Sequence, residues 1–131
     1  KLLLFDSGVY LTECGLDAGG ILGAEIYDDM NKGDVVEMET GLEFIKAGSP
    51  YAEPGLFYWY RSGANAEIDY AIVRNGQIIP VEVKSSGKGS MQSLHCFLDA
   101  HESPYGIRIS LEDFSEYESI HVFPVYAVSR I

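Results

Sequence analysis

The sequence predicts an α/β fold: a central mixed β-sheet, built as an antiparallel three-stranded meander plus a parallel strand, flanked by α-helices. Three observations predict it. An aromatic run, Leu56 to Arg61, precedes two alternating runs joined by Asn75-Gly76, the strongest short signal for a type I′ hairpin. Apolar residues recur at three- and four-residue intervals just before this meander, between Asp34 and Ala47, as on one face of a helix. A second helical stretch then separates the hairpin from another apolar run. Such a crossover places the new strand parallel to the last one, with a right-handed connection.

The elements follow in order. Leu2 to Phe5 is a short apolar segment, and Ser7 to Gly15 reads as a short helix ended by the glycine. Asp17 to Lys32 is rich in Gly and Asp and reads as an irregular connection. Val35, Met38, Leu42 and Ile45 mark the inner face of a helix from Asp34 to Ala47, with Gly48 as its stop. Ser49 to Gly55 holds two prolines and is a loop. The aromatic strand Leu56 to Arg61 reads as a core strand. Strands follow at about Glu67–Arg74 and Gln77–Lys84. Ser90 can cap a helix through Met91, Leu94, Phe97 and Leu98, which Pro104 breaks. Tyr105 to Ser110 is a strand, Glu112 to Ser119 is loop-like or weakly helical, and Ile120 to Val128 forms one or two short strands around Pro124.

The hairpin carries the chemistry. Ile68, Tyr70 and Ile72 alternate with Glu67, Asp69 and Ala71; Ile79, Val81 and Val83 alternate with Pro80, Glu82 and Lys84. If the turn closes tightly, Arg74 faces Gln77. Asp69 then lies opposite Glu82, and Glu67 opposite Lys84. Directly opposed side chains have Cβ atoms about 4.5–5.5 Å apart, where like charges repel. Two carboxylates held together need a cation, a shared proton or water, so the pair reads as half of a divalent-metal site. Pro80 has no ladder N–H to give. It is expected near the hairpin tip, where the next strand is absent, leaving Glu82 to Lys84 as the well-paired central end.

Composition bounds the function. At 131 residues the chain is one domain: 1–32 as an N-terminal extension and 33–131 as the core. Its start inside an apolar run, without Met, fits a piece of a larger protein. No run is long enough to span a membrane. Cys14 and Cys96 have no motif spacing, which fits a reducing, cytoplasmic setting. The net charge is −11, from nine basic and twenty acidic residues. Tight binding to a nucleic-acid backbone needs Lys and Arg to displace counterions, so the charge weighs against autonomous nucleic-acid binding.

Helix, three strands, helix, strand, with Asp and then Glu-x-Lys, resembles the PD-(D/E)XK, or restriction-endonuclease-like, nuclease superfamily. The ordered set Lys1-Leu2-Leu3-Leu4-Phe5-Asp6-Ser7-Gly8, Gly33 to Glu37, Tyr58-Trp59-Tyr60-Arg61, Ala66-Glu67-Ile68-Asp69-Tyr70, Ile79 to Ser86, Gly106 to Ser110 and Phe123-Pro124-Val125-Tyr126 resembles more narrowly the C-terminal domain of unknown function of predicted prokaryotic AAA-type ATPases. The resemblance implies a nuclease-like core tethered to an N-terminal ATPase module outside this chain. It implies that Asp69 and Glu82 ligate Mg²⁺ or Mn²⁺ and that Lys84 assists the attacking water. Glu37 matches an auxiliary acid and metal ligand; Gln92, at the start of the second helix, and Glu67 are looser auxiliaries. Ser86-Gly87-Lys88-Gly89-Ser90 is not a phosphate loop, lacking the preceding Gly and the Lys-Ser/Thr step.

Plainer readings stand beside these. Glu67 and Lys84 form a cross-strand ion pair of small worth on an exposed face. Asp69, Glu82 and Glu37 are solvated acids. His95, His101 and His121 have no ligand spacing and are packing or surface residues. Tyr58-Trp59-Tyr60 could stack bases, but core packing explains it more simply. Two functions follow: metal-dependent hydrolysis of DNA or RNA phosphodiesters, or a non-catalytic regulatory or protein-interaction module beside an AAA-type ATPase.

Overall fold

The computed structural model describes residues 2–16, 29–63, 66–85 and 89–131. Helix α1, Ser7–Glu13, starts where Asp6, in extended conformation, accepts the Val9 amide on its side chain at 3.0 Å. That bond satisfies one of the donors a helix start leaves open. The expected connection at residues 17–28 lies outside the described residues. Its last part does not hold as expected, because helix α2 runs over Asp29–Ala47. The polar, Gly-containing start gives no apolar period before Val35, which hid the first turn.

Met38 and Leu42 of α2 are buried as expected, but Ile45 is 38% exposed and Phe44 takes the inner position. Both fit a helical period. Phe44 turns in because its ring meets the edge of Tyr70, with centroids 6.2 Å apart. Gly41 lets this helix come close: a Cβ there would lie 2.6 Å from the Tyr70 hydroxyl. That hydroxyl donates to the Glu37 carbonyl at 2.8 Å.

The strands are β1 Leu56–Arg61, β2 Ala66–Arg74, β3 Gln77–Val83, β4 Gly106–Ser110, β5 Ser115–Tyr117 and β6 Ile120–Pro124. They form one mixed six-stranded sheet in the order β1-β2-β3-β4-β6-β5. Arg74 faces Gln77, and Asn75 and Gly76 have φ of 52° and 78°, the positive pair a type I′ turn demands. Helix α3, Gln92–Ala100, crosses from β3 to β4, and β4 runs parallel to β3. Pairing with β4 starts at Val81, just past Pro80, so the missing N–H faces no partner strand.

Three expectations change. The acidic stretch Glu112 to Ser119 contains the edge strand β5, and only β6 forms after it. Pro124 ends β6, and the chain continues as a 3-10 helix, Val125–Arg130. The aromatic strand is not a core strand. β1 is a sheet edge, with Phe57, Tyr58 and Tyr60 each more than half exposed, while Trp59 packs inward on Phe97 with centroids 5.2 Å apart.

Each sheet face carries its own core. On one, α2 and the 3-10 helix cover Tyr70, Ile72, Ile79, Val81, Val83, Ile107 and Ile109. On the other, Leu94 and Phe97 of α3 cover Ile68 and Ile120. Ile68 and Tyr70 are two apart yet face opposite ways. The cause is a bulge: β1 pairs Trp59 with Ile68 and Phe57 with Ala71, so Asp69 and Tyr70 together oppose Tyr58 alone. An inserted residue of this kind reverses the alternation.

Candidate metal centre at the hairpin root

The bulge decides where Asp69 goes. The β2–β3 ladder keeps the expected register from Arg74↔Gln77 to Tyr70↔Val81 and ends there. Asp69 and Glu82 are next in that register but do not form a further ladder pair. Instead the Asp69 Oδ2 accepts the Val83 amide at 2.8 Å. A carboxylate thus replaces the strand carbonyl that would normally take this N–H, and it stands at the seam between the two faces. The Glu67/Lys84 position lies beyond the end of the ladder. Glu67 is exposed and has Tyr60 of β1 as its neighbour.

Glu82 is 5% exposed. Alternation puts it on the face of α3, with Pro80, away from Val81 and Val83. Leu94, Leu98 and Pro80 also surround Gly106 of β4, so Arg108, two residues on, shares this face. Glu82 and Arg108 are direct neighbours across β3 and β4. The Lys84 ammonium lies 2.7 Å from Glu82 Oε1. Glu82 Oε2 is buried and has no hydrogen-bond partner among the described residues. Burial pushes the Glu82 carboxyl up from its ordinary range. Its bond to Lys84 and the charges of Lys84 and Arg108 pull down, while Asp69 pushes further up.

Lys84 is fixed at its backbone too. Its amide donates to the Ile109 carbonyl of β4 at 2.8 Å, although it lies one residue past β3. Arg108 is 4% exposed; it donates to the Gly89 carbonyl at 3.2 Å and lies 3.7 Å from Glu112.

Glu37 and Asp69 meet at Tyr70, whose hydroxyl burial pushes up first and both acids push further; Glu37 is placed there by its helix. It lies on α2, over the Tyr70 face, and its charge raises Tyr70 and Tyr10. Burial is the larger cause for both, and Tyr10 is pushed up to about 12. Tyr10, Asp34, Glu37 and Tyr70 line one small cavity of about 160 Å³ with Leu2 and Leu3. α2 lies over the Tyr70 face of the sheet, and Glu82 alternates onto the other face. Gln92 opens α3 as expected but is exposed, and its amide donates to Ser90 Oγ at 3.1 Å. Ser90 therefore serves the helix start from one residue before the capping position, which Met91 occupies. Residues 86–88 of the Ser/Gly stretch lie outside the described residues.

A family model described as a domain of unknown function, DUF4143, matches residues 32–128. The chain belongs to the DUF4143 family. No curated protein and no solved structure matches the chain. The DUF4143 match begins within α2 and ends within the final 3-10 helix, so it takes in both cores and the hairpin root. It leaves out α1 and Leu3, which meets α2 at Gly41.

Arg108 of this DUF4143 domain was not among the expected site residues. The signal was present in Gly106-Ile107-Arg108-Ile109-Ser110, where one cation interrupts a strand whose five residues are all buried. A buried Arg needs an acid, and the nearest strand supplies Glu82. Two of the three histidines pack on aromatic rings: His101 against Trp59 and Phe97, and His121 stacked on Tyr105 at 4.7 Å. Among the described residues no group of three or more His, Cys, Asp or Glu side chains could hold a metal ion, and no helix is long and apolar enough to cross a membrane.

Proposed function

We propose that this DUF4143 domain is a nuclease-like, divalent-metal-dependent phosphodiesterase whose working end is the root of the β2–β3 hairpin. One observation carries the reading. Glu82 is a buried carboxylate with one oxygen on Lys84, the other without a hydrogen-bond partner among the described residues, and a second carboxylate, Asp69, acting on it electrostatically. A buried acceptor left unmade is costly, and oxygen ligands of this kind suit Mg²⁺ or Mn²⁺, which need only one or two carboxylates beside water.

Asp69 and Glu82 would hold the cation. Bound there, it would supply a more acidic water and offset charge on the phosphate. The protein's own groups do the rest. Val83 N–H fixes one Asp69 oxygen and so aims the other. Glu82 Oε1 holds the Lys84 ammonium beside the same carboxylate. Lys84 is one-third exposed at its side chain, so it can meet a phosphate oxygen or orient the attacking water. Glu37 lies across the sheet and belongs to the Tyr10–Tyr70 cluster in this reading. The restriction-endonuclease-like fold assignment and Asp69 and Glu82 as ligands rest on the sequence resemblance together with this geometry, and the AAA-type ATPase tether on the resemblance alone.

A second reading has its own support. Lys84 and Arg108 already offset the Glu82 charge, and Phe57, Tyr58 and Tyr60 stand exposed on an edge strand of a chain with net charge −11. That arrangement suits a non-catalytic regulatory or interaction module beside an ATPase.

Titration with Mn²⁺ or Mg²⁺, followed by assays on single- and double-stranded DNA and RNA, separates the two. The proposal expects metal-dependent cleavage that falls about 100-fold or more in Asp69→Ala and in Lys84→Ala. Absence of metal binding at millimolar concentration would leave only the interaction module.

A further inference from the structure

We propose that Arg108 is a positioning residue that clamps Lys84 onto Glu82 through the main chain at Gly89. Its catalytic consequence rests on the phosphodiesterase reading above; the clamp itself does not.

The links are a strand register, an ion pair, a hydrogen bond and a close approach of main chain to side chain. Arg108 is buried between Glu82, its neighbour on β3, and Glu112, 3.7 Å away. Its guanidinium donates to the Gly89 carbonyl at 3.2 Å. Gly89 in turn lies against the Lys84 stem: a Cβ built on it would meet Cδ, Cε and Cγ of Lys84 at 3.4, 3.6 and 3.7 Å. Gly89 has φ +147°, a backbone state that L side chains rarely adopt. The Gly89 main chain thus flanks the aliphatic stem on one side. Its ammonium is confined by Glu82 Oε1 at 2.7 Å, and its own amide by Ile109 O at 2.8 Å. A free lysine side chain loses up to about 2 kcal/mol of rotamer freedom on being fixed. Here the cost is met before any substrate arrives, by a residue from another strand. Arg suits the task because its planar fork can donate to the Gly89 carbonyl while lying 3.7 Å from Glu112 from one buried position, and Lys has no such fork.

Side-chain NMR relaxation of Lys84 in the metal-free protein tests the clamp without any reaction. The proposal expects a rigid Lys84 Cε methylene in the wild type and a mobile one in Arg108→Met. Gly89→Ala leaves every buried charge in place; its methyl fits beside the stem, but at φ +147° the alanine is strained, and relief of that strain moves the carbonyl that Arg108 holds. It therefore keeps the test standing where Arg108→Met does not fold, and it too is expected to loosen Lys84. Leu94→Ala, a core change on the same sheet face, controls for general loss of stability and should leave Lys84 rigid. A Lys84 methylene as ordered in Gly89→Ala and Arg108→Met as in wild type overturns the clamp, as does one equally loosened by Leu94→Ala. If cleavage is present, kcat should fall about 10- to 100-fold in Gly89→Ala with metal affinity unchanged. A loosened Lys84 in a protein that cleaves nothing leaves the clamp intact and overturns the phosphodiesterase reading alone.

Discussion

The two ends of one hairpin follow opposite rules. At the tip, Val73 and Ile78 face each other across the strands, each about half exposed. At the root, Glu82 is buried, with Arg108 buried beside it. Apolar side chains stand in water at one end while charges are withdrawn from it at the other. Burying an ion pair is seldom the cheapest way to build a core, so stability alone does not account for the root. The tip is what a sheet tolerates where no helix covers it. The root lies where three strands, a helix and a bulge converge, and there the charges are held by specific partners.

Paired substitutions put this contrast at risk. Ile109→Ala, at a fully buried position of β4, should cost about 2–5 kcal/mol in urea unfolding, whereas Ile78→Ala at the tip should stay within about 0.5 kcal/mol. Equal costs would end the distinction between the two ends. Lys84→Met should lose about 1–3 kcal/mol, because the Glu82 oxygen it serves would then lack that donor. The lower part of that range is expected, since the lysine is partly exposed and Arg108 remains. Gly76→Ala, which puts a side chain on a residue with φ +78°, should cost about 1 kcal/mol and mark the tip as held by its turn rather than by packing.

The smallest effect is a pH dependence. The Glu82 carboxyl is raised above its ordinary 4.5 mainly by burial. The folded state therefore binds this proton more tightly than the unfolded one. The resulting stability is present in full below about 4.5 and is lost as pH rises through the raised folded value. Glu82→Gln removes the dependence. Its stability relative to wild type should rise from pH 4 to pH 7 in paired urea melts, and a flat difference would show that burial does not govern this group.

Much of the frame was legible because its causes are local. Asn75-Gly76 fixes the turn, the turn fixes the register, and Pro80 marks where β4 can begin. The β1 limits and the parallel placement of β4 follow from similar short-range rules. What escaped depends on distant partners. The Asp69–Tyr70 bulge exists only in relation to β1, so period-two alternation carried Ile68, Tyr70 and Ile72 onto one face when the chain divides them. Ile45 and Phe44 fit the α2 period equally well until Tyr70 arrives from β2. Tyr58 and Tyr60 have a strand's composition, which says nothing about being at the edge. At the site, Glu-x-Lys made the Glu82–Lys84 contact readable, while the Asp69 bond to the Val83 amide depends on the bulge and Glu37, placed by the resemblance, stands on the helix over Tyr70. Arg108 needed the β3–β4 register before its partner could be named.

Pro80 has a consequence for how β4 is seated. A proline on β3 offers nothing to a strand sliding toward the tip, so the parallel partner meets a stop where its first hydrogen bond would be. Without that stop, a one-residue slip of β4 would turn Arg108 into the apolar core of Ile79, Val81 and Val83 and leave Glu82 with Lys84 alone to offset its charge. A missing amide thus acts as a ruler for charge: it measures where the arginine must come to rest.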